Sequence, residues 1–474
     1  MTLFKSLRKY KNNIAFISKD KWPISYSKLV KKSDLISTII KERSLVLLIT
    51  QNSIAPLIFY ISLMRNNCVV MLVDIKTSIK DISNLIKIYK HSYLIGPNSF
   101  VKNFDDSTYD SFFKMYDYSV HLIKKYKKIN MYSKLCILLP TSGSMGSPKF
   151  VRLSKQNLKE NSKSIIKYLN IKATDRTITN MPFSYSYMLS VINTHIESGA
   201  SIYVTDKSLT QRYFWEEFRK NKITSLNAVP YIYDVLIKMG LDNLKNISLK
   251  TLTHAGGKLK NESATKIIDF CNKNDMRFFS MYGQTEASPR ISFLDWRFAR
   301  TKRGSIGKSI PGGKMWLEST DGSIISKPKQ IGELVYKGKN VSLGYSENIN
   351  DLSKKNKNNF VLKTGDLAFF DKDKFFYLKG RLNRIAKIFG NRFNLEEVEE
   401  RMIERGYEVV CQNLEDKIFV YSEKKYLKSE VIKNIVNITS QNNTAFKFIS
   451  ISKFPRTESG KIDLKKFKKI SNND

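Results

Sequence analysis

The sequence predicts an α/β protein with a large N-terminal domain of several subdomains and a small α+β domain at the C-terminus. Two patterns support this prediction. Short apolar runs alternate with amphipathic stretches through the first half of the chain, as in an α/β sheet with helices on its faces. After about residue 300, glycines recur between short apolar segments, which is typical of an antiparallel β subdomain. The 474 residues are enough for two or more domains.

The individual elements follow from the same patterns. Buried strands are predicted where Val, Ile and Leu cluster without polar alternation, at 44–50, 68–74, 92–96, 135–140 and 200–206. Helices are predicted between them over 54–67 and 157–171. The glycine-spaced β segments are 304–318, 331–345 and 363–381. A later helix, 394–405, has Asn394 as its N-cap and Glu396 and Glu397 in its first turn.

Composition limits the possible partners. The net charge of +38 suggests a nucleic-acid binder, but the lysines are scattered along the chain, which favours a solvated basic surface. We therefore expect no nucleic-acid partner, while weak attraction to acidic proteins or anionic membrane surfaces stays open. The four cysteines form no CxxC pair, which argues against a zinc site or a disulfide framework and fits a reducing compartment.

The N-terminal half also bears on localisation. The first residues lack the apolar region of a signal peptide. The most apolar region, 44–73, is interrupted by Gln51-Asn52 and by Arg65-Asn66-Asn67. No run therefore reaches the ~20 apolar residues of a membrane helix, and we expect a cytoplasmic protein without a membrane span.

The segment TSGSMGSPK, residues 141–149, combines hydroxyl residues and glycines with a lysine. Backbone N–H groups and hydroxyls in such a loop can surround phosphate oxygens. Its spacing does not fit the G-x-x-x-x-G-K-[ST] loop of nucleoside triphosphatases. Taken alone, the segment is equally compatible with an ordinary turn between a strand and a helix.

Further segments follow in a fixed order: SMYGQTEAS (280–288), LKTGDLAFF (362–370), GRLNRIAKIFGNRFNLEEVE (380–399) and PRTESGKIDLKKF (455–467). Together with the phosphate loop, they resemble the adenylate-forming (AMP-binding) superfamily of acyl-CoA synthetases, luciferases and peptide-synthetase adenylation domains. The resemblance extends from 24–29 to Lys461, and 332–345 matches a further family segment. It implies an N-terminal AMP-binding domain, 1–380, and a mobile C-terminal domain, 381–474, that carries the catalytic lysine.

The resemblance also implies an ATP site. Its phosphate contacts would come from the loop residues Thr141, Ser142, Gly143, Ser144, Gly146 and Lys149. The nucleotide would further contact Gly256, Gly257, Tyr282, Gly283, Gln284, Asp366 and Arg381, with Tyr282 on adenine and Asp366 on the ribose hydroxyls. Thr285 would touch the α-phosphate, and Glu286 would hold Mg²⁺, a cation that takes few protein ligands when phosphate is bound.

The C-terminal segments resemble the moving part of the catalytic apparatus. Lys461 would be brought to the α-phosphate, where a cation offsets the charge that builds as a carboxylate attacks. Asn383 would be the hinge, at a position where the family usually has Asp or Lys. Lys387 and 389–393 would face the tunnel for the thiol.

Besides Asn383, further departures from the family pattern stand out. Met145 replaces a usual Thr, Phe150 replaces a usual Gly, and Tyr185 stands where acyl-CoA synthetases often have His. The region around Phe183, Tyr185 and Tyr187 resembles the acyl-binding segment, although these side chains are equally compatible with core packing. No Asp lies between Asn180 and Thr194 to hold an amine, so a plain carboxylic acid with an apolar acyl or aryl group is favoured.

These inferences predict an ATP-dependent ligase that activates a small carboxylic acid as an acyl-adenylate with release of pyrophosphate. Lys461, Glu286 and Thr285 are its predicted catalytic residues. The acyl group would then pass to a thiol, with coenzyme A as the first choice. Two alternatives stay open: loading of an acyl or amino acid onto an acidic carrier protein, and a nucleotide-binding homologue that has lost turnover.

Overall fold

The structure is a computed structural model that describes residues 3–19, 21–104, 109–124, 129–140, 149–245, 248–356, 358–388, 391–414, 417–439, 441–457, 461–464 and 466–467. They form two compact units. The first unit comprises 1–314 and 337–362, and the second unit comprises 315–336 and 363–474. The domain division between residues 380 and 381 stays a prediction.

The strands within the described residues are β1 Ile14–Ser18, β2 Lys21–Ser25, β3 Leu45–Thr50, β4 Val69–Asp74, β5 Tyr93–Pro97, β6 Tyr109–Met115, β7 Tyr118–Ile123, β8 Leu135–Pro140, β9 Phe150–Ser154, β10 Arg176–Ile178, β11 Ser201–Tyr203, β12 Ser225–Ala228, β13 Thr251–His254, β14 Arg277–Tyr282, β15 Ser292–Leu294, β16 Lys308–Ser309, β17 Gly313–Glu318, β18 Gly332–Gly338, β19 Tyr345–Ser346, β20 Val361–Phe370, β21 Phe376–Arg381, β22 Ile385–Ile388, β23 Asn391–Asn394, β24 Val410–Leu414, β25 Lys417–Ser422 and β26 Phe446–Ser450.

The helices are α1 Tyr26–Ile39, α2 Ile54–Arg65, α3 Ile79–Tyr89, α4 Asn98–Val101, α5 Lys155–Leu169, α6 Ser186–Ser198, α7 Arg212–Lys220, α8 Pro230–Met239, α9 Asn261–Lys273, α10 Leu395–Glu404 and α11 Lys428–Thr439. The α/β class is confirmed. None of the helices in the described part of the chain has both the length and the apolarity needed to cross a bilayer.

Two large sheets organise the first unit. One has the strand order β19-β9-β8-β4-β3-β5-β7-β6, and the other β16-β15-β14-β13-β12-β10-β11-β1-β2. The predicted strands at 44–50, 68–74, 92–96 and 135–140 are confirmed as β3, β4, β5 and β8, whereas β11 is shorter than the predicted 200–206. β3 pairs in parallel with β4 and β5, which explains why these strands read as continuous apolar runs.

Helices α2 and α5 show how the sequence sets the helix bounds. Residues Ile54–Met64 of α2 are all buried, as expected for a helix without a polar face. It ends at Arg65, two residues before the predicted end. Helix α5 begins two residues before its predicted start because Ser154 and Asn157 form a reciprocal capping box.

The second large sheet positions the two predicted nucleotide loops. β13 and β14 are parallel, and His254 is paired with Ser280 in their register. Their carboxyl ends therefore lie at the same edge of the sheet, so residues 255–257 and 283–286 leave the sheet side by side. Ligands of α/β proteins bind at such an edge.

The second unit contains the glycine-spaced β segments and the C-terminal α+β elements. β17, β18, β20 and β21 form one sheet, and β24, β25 and β26 form another. Val398 and Met402 of α10 pack in one core with Cys411, Val431 and Ile435. The Asn394 side chain accepts a hydrogen bond of 2.9 Å from the Glu396 N–H, so the predicted N-cap is confirmed.

Candidate active site

The turn after β14 carries the predicted adenine and phosphate contacts. Tyr282 ends the strand, and Gln284 Nε2 lies 3.5 Å from the Tyr282 hydroxyl. A Cβ added to Gly283 would lie 1.6 Å from the carbonyl oxygen of Pro289. The chain can therefore fold back on itself here only because residue 283 has no side chain.

Thr285 is joined to the start of helix α6. The hydroxyls of Thr285 and Ser186 share a buried hydrogen bond of 3.0 Å. Ser186 lies between Tyr185 and Tyr187 in the segment predicted to bind the acid. The predicted α-phosphate contact and the predicted acyl segment are thus in direct contact.

Glu286, the predicted Mg²⁺ ligand, is held through both its backbone and its side chain. Its carbonyl accepts from the Ser342 N–H at 2.8 Å. Its carboxylate oxygen Oε1 accepts from the Tyr345 hydroxyl at 2.7 Å. Burial and, second, the Glu286 charge raise the pKa of Tyr345, so this hydroxyl remains a donor at neutral pH.

Lys149, at the end of the predicted phosphate loop, contacts the same tyrosine. Its ammonium lies 4.3 Å from the centroid of the Tyr345 ring and 3.7 Å from a Glu347 carboxylate oxygen. A cation over an aromatic face is electrostatically favoured. Tyr345 therefore contacts both the Glu286 carboxylate and the Lys149 ammonium.

Phe150, which replaces the usual family glycine, is a core residue of β9. It is buried and packs edge-on against Tyr89, with 5.7 Å between ring centroids. The phenyl ring that replaces the usual glycine is therefore accommodated in the hydrophobic core.

The second predicted nucleotide loop lies against Tyr185. Gly256 has a φ of +92°, and a Cβ there would lie 2.5 Å from the Tyr185 hydroxyl oxygen. At Gly257, a Cβ would meet the Pro230 side chain at 3.2 Å. Both glycines therefore let bulky neighbours approach the backbone. At Gly256 that neighbour is Tyr185, which stands where acyl-CoA synthetases often have His.

The two other predicted acyl-binding residues are deeply buried. Phe183 packs edge-on against Tyr60, with 5.5 Å between ring centroids. The Tyr187 hydroxyl lies 2.6 Å from the Thr253 hydroxyl oxygen. Tyr185, by comparison, is only half-buried.

Asn340, to which the sequence assigned no role, fixes the turn that follows Glu286. Its side-chain Nδ2 donates to the backbone carbonyls of Ala287 at 2.6 Å and Arg290 at 2.7 Å. Its backbone carbonyl accepts from Ser288 Oγ at 2.7 Å. Asn340 and Tyr345 both belong to 332–345, the segment that resembled the family without an assigned function. Those hydrogen bonds connect residues 50 to 53 positions apart, so no local pattern reveals them.

The predicted ribose contacts lie in the second unit. Asp366 and Arg381 are register partners on the antiparallel strands β20 and β21. Arg381 Nε lies 2.8 Å from Asp366 Oδ1, and the aspartate side chain is only 5% exposed. The structure thus brings these two predicted residues together as an ion pair.

The predicted hinge adjoins a second charged cluster. Asn383 lies in a 3₁₀ turn, Leu382–Arg384, and its side chain is outside the described residues. Arg384 pairs with Glu396 and Glu399 and donates to the Cys411 carbonyl at 2.6 Å. Burial, the larger effect, raises the pKa of Glu399, while the Arg384 charge opposes this.

Lys461 belongs to a short turn of the second unit. Its N–H donates to Thr457 Oγ1 at 3.2 Å, and its carbonyl accepts from the Thr457 N–H at 2.7 Å. These hydrogen bonds fix the backbone of the predicted catalytic lysine.

Several predicted positions lie outside the part of the chain that the structure describes: Thr141, Ser142, Gly143, Ser144, Met145, Gly146 and the side chains of 387–393. Their predicted roles are therefore untested. Among the described residues, no group of three or more His, Cys, Asp or Glu side chains is arranged to hold a metal ion.

A family model and known relatives agree with this architecture. The model of the AMP-binding enzyme family matches residues 3–346, well over half of the chain. The chain therefore belongs to the AMP-binding enzyme family, and the resemblance to adenylate-forming enzymes is confirmed.

Similar sequences include the oxalate–CoA ligase of Saccharomyces cerevisiae, 24% identical over 70% of this chain. That match spans 62% of the yeast ligase's own length. The D-alanine–D-alanyl carrier protein ligase of Listeria monocytogenes is 26% identical over 69% of this chain and 68% of its own. The fold matches o-succinylbenzoate coenzyme A synthetase from Bacillus subtilis, in complex with ATP and magnesium, with a TM-score of 0.77, 19% identity and 98% coverage of both chains.

Proposed function

We propose that this protein is an ATP-dependent carboxylic acid ligase. A carboxylate oxygen of the acid attacks the α-phosphorus of ATP, the bond to pyrophosphate breaks, and an acyl-adenylate forms. A thiol then attacks the acyl carbon, AMP leaves, and a thioester results. The observation that carries the proposal is the hydrogen bond between Ser186 and Thr285, because it joins the segment predicted to bind the acid to the predicted α-phosphate contact.

The described residues have the chemistry that these steps require. Thr285 would donate a hydrogen bond to the α-phosphate, and Lys149 would offset charge on the departing pyrophosphate. Asp366 offers two acceptor oxygens for ribose hydroxyls, with Arg381 beside it. Lys461 would supply the cation at the attacked phosphorus during adenylation.

Glu286 fits the role of a Mg²⁺ ligand. It offers a single carboxylate, and Mg²⁺ at nucleotide sites is held by one or two carboxylates together with phosphate oxygens and water. When bound, Mg²⁺ would neutralise charge on the phosphates. Tyr345 would orient the Glu286 carboxylate through its hydrogen bond.

The proposed acceptor is the thiol of coenzyme A. A carrier protein is the alternative acceptor, because the chain's net charge of +38 would attract an acidic partner electrostatically. The named relatives include ligases of both kinds, an oxalate–CoA ligase and a D-alanyl carrier protein ligase.

A second candidate substrate class is an amino acid, and one contact favours it. Asp74 Oδ2 lies 3.3 Å from Ser184 Oγ, beside the acyl segment. Burial, the largest effect, raises the pKa of Asp74. A nearby substrate ammonium would stabilise the ionised carboxylate in that environment.

Exchange of labelled pyrophosphate into ATP tests the adenylation step. The full chain is incubated with ATP, Mg²⁺ and one acid at a time, from a panel of aliphatic, aromatic, dicarboxylic and amino acids. We expect exchange that depends on the acid. Exchange with amino acids alone would favour the second candidate class, and ATP binding without exchange for any acid would contradict the ligase proposal.

The acceptor is tested with the best acid from that panel. Coenzyme A or a phosphopantetheinylated acidic carrier protein is added, and the thioester is quantified. We expect acyl-CoA as the main product. Acyl-carrier protein formed without acyl-CoA would replace coenzyme A as the acceptor while leaving the adenylation step intact.

A further inference from the structure

Arg290 is a buried cation beside the acyl segment. Only 2% of the Arg290 surface is exposed to solvent. Its Nη2 donates to Ser190 Oγ at 3.1 Å, and its guanidinium carbon lies 4.9 Å from the centroid of the Tyr187 ring. Its Nε is buried without a hydrogen-bond partner within the described part of the chain.

Neither a described carboxylate nor a tyrosinate balances this charge. Among the described residues, no acidic side chain forms an ion pair with Arg290, whereas the buried Arg384 of the second unit has Glu396 and Glu399. Burial, the largest effect, raises the pKa of both Tyr168 and Tyr185 to about 12, although the Arg290 charge and, for Tyr168, a side-chain hydrogen bond with Arg290 oppose the shift. These phenols therefore stay neutral near pH 7. A buried guanidinium without an anion is costly, so the arrangement favours an anion from outside the chain.

The backbone around Arg290 is fixed, so the position of its side chain is defined. The Arg290 carbonyl accepts from Asn340 Nδ2 at 2.7 Å, and its N–H donates to the Ala287 carbonyl at 3.0 Å. The guanidinium is thus attached to the same turn that carries Thr285 and Glu286.

Helix α6 relates Arg290 to the reacting end of the acid. Ser186 contacts Thr285, and Ser190, four residues later on the same helix, contacts Arg290. Four residues of α-helix span about 6 Å. An anionic group at Arg290 would therefore lie about one helical turn from a carboxylate that reacts beside Thr285.

We propose that the acid activated by this protein is a short dicarboxylic acid, whose second carboxylate is bound by Arg290. The inference rests on the proposed ligase function and specifies its substrate class. A guanidinium forms strong, directional hydrogen bonds with a carboxylate, and Arg290 has an unused donor for one. The same charge would repel the ammonium group of an amino acid.

Matched pairs of acids test this inference in the full-length protein. Pyrophosphate exchange is measured with propionate and malonate, butyrate and succinate, and valerate and glutarate, and with the monomethyl ester of each diacid. We expect kcat/KM for at least one diacid to exceed that for its monoacid and its ester by about tenfold or more, the effect of a hydrogen bond to a charged group. Exchange that favours the monoacids would overturn the inference while leaving the ligase function standing. Exchange with no acid would overturn both.

Substitutions identify the residue responsible. Arg290→Met should abolish the preference for the diacid while sparing exchange with monoacids, and Arg290→Lys should retain part of the preference. Arg176→Met is the matched control, because Arg176 also has a buried Nε without a partner within the described residues and donates to a backbone carbonyl of Asn221. This control should keep the wild-type preference.

Two results with the variants would contradict the inference. An equal loss with monoacids and diacids in Arg290→Met would mean that Arg290 serves the reacting carboxylate or the fold. An unchanged diacid preference in Arg290→Met would mean that another group binds the second carboxylate. If Arg290→Met does not fold, Arg290→Lys still decides, because it must lower kcat/KM for the diacid more than for the matched monoacid.

Discussion

Tyr345 contacts both charged groups that the proposed function places near the phosphates. Its hydroxyl donates to the Glu286 carboxylate, and its ring lies beneath the Lys149 ammonium. The Glu286 hydrogen bond fixes a carboxylate that would otherwise rotate freely. We infer that Tyr345 is a positioning residue for Glu286, the proposed Mg²⁺ ligand.

Tyr345→Phe should therefore weaken Mg²⁺ binding without removing the ring beneath Lys149. We expect the Mg²⁺ concentration needed for half-maximal exchange to rise by about three- to tenfold, the effect of losing a hydrogen bond to a charged group. Tyr407→Phe is the control, because it removes a tyrosine–glutamate hydrogen bond, to Glu430, in the second unit. A Mg²⁺ titration of Tyr345→Phe that overlays the wild type would refute the positioning role.

His91 predicts a pH dependence of stability. It is fully buried, both ring nitrogens lack partners within the described residues, and burial lowers its pKa from 6.5 to about 3. Between these values the unfolded chain binds a proton that the folded chain excludes. Stability due to this residue is therefore present above pH 6.5 and is lost as the pH falls towards 3.

His91→Leu should reduce this acid sensitivity. Denaturant unfolding at a series of pH values should show a shallower loss of stability below pH 6.5 than in the wild type, by up to about 1.4 kcal/mol per pH unit. The difference in unfolding free energy between His91→Leu and the wild type at pH 8, where histidine is neutral in both, measures the effect of the altered packing alone. Parallel pH profiles would contradict the assignment.

Among the secondary-structure elements, the buried strands β3, β4, β5 and β8 were the most predictable. β3, β4, β5 and β8 follow directly from apolar runs because buried parallel strands need apolar side chains on both faces. The N-cap of α10 follows from Asn394 alone. Helix bounds shifted by about two residues where a cap or polar flank outweighs apolar periodicity, as at Ser154 and Arg65.

The contacts that complete the candidate site were less predictable. Glu286 to Tyr345, Ala287 to Asn340 and Ser190 to Arg290 join residues 59, 53 and 100 positions apart. Each depends on the packing of separate elements, which no local periodicity encodes. The family resemblance named Glu286 and Thr285, but it gave no role to these partners.

Substitution of Asn340 tests whether the 332–345 segment supports the turn that carries Thr285 and Glu286. Asn340→Ala leaves the buried carbonyls of Ala287 and Arg290 without their amide donor. We expect the free energy of unfolding to fall by about 1–3 kcal/mol, because unpaired buried polar groups are costly. Exchange activity should fall as the turn loosens.

Asn103→Ala provides the comparison for Asn340→Ala. Asn103 Nδ2 also donates to a backbone carbonyl, that of Phe100, but the residue is exposed, so water can replace the lost partner. We expect little change in denaturant unfolding for this control. Equal, small effects in both variants would show that Asn340 does not stabilise the turn.

In the molecule as a whole, the predicted catalytic and nucleotide-binding groups are divided between the two units. Thr285 and Glu286 belong to the first unit, whereas Asp366, Arg381 and Lys461 belong to the second. The proposed function therefore depends on residues of both units. It also predicts that the two half-reactions respond differently to changes in the second unit.

Lys461→Ala should separate these half-reactions. We expect acid-dependent pyrophosphate exchange to fall by about a hundredfold or more, since a cation at developing charge typically contributes several kcal/mol. Thioester formation from chemically supplied acyl-adenylate should remain close to wild type. Lys453→Ala, which removes an exposed lysine of the same unit, is the control. Wild-type exchange in Lys461→Ala would refute its catalytic role.

In the proposed reaction, the protein breaks ATP between its α- and β-phosphates in order to activate a carboxylate. The most direct measurement is identification of the products formed from ATP labelled in the α-phosphate and, in a parallel reaction, in the γ-phosphate, with the best acid from the panel and coenzyme A present. We predict AMP and pyrophosphate in equal amounts, formed only when the acid is present. Formation of ADP and phosphate, or acid-independent ATP cleavage, would contradict it.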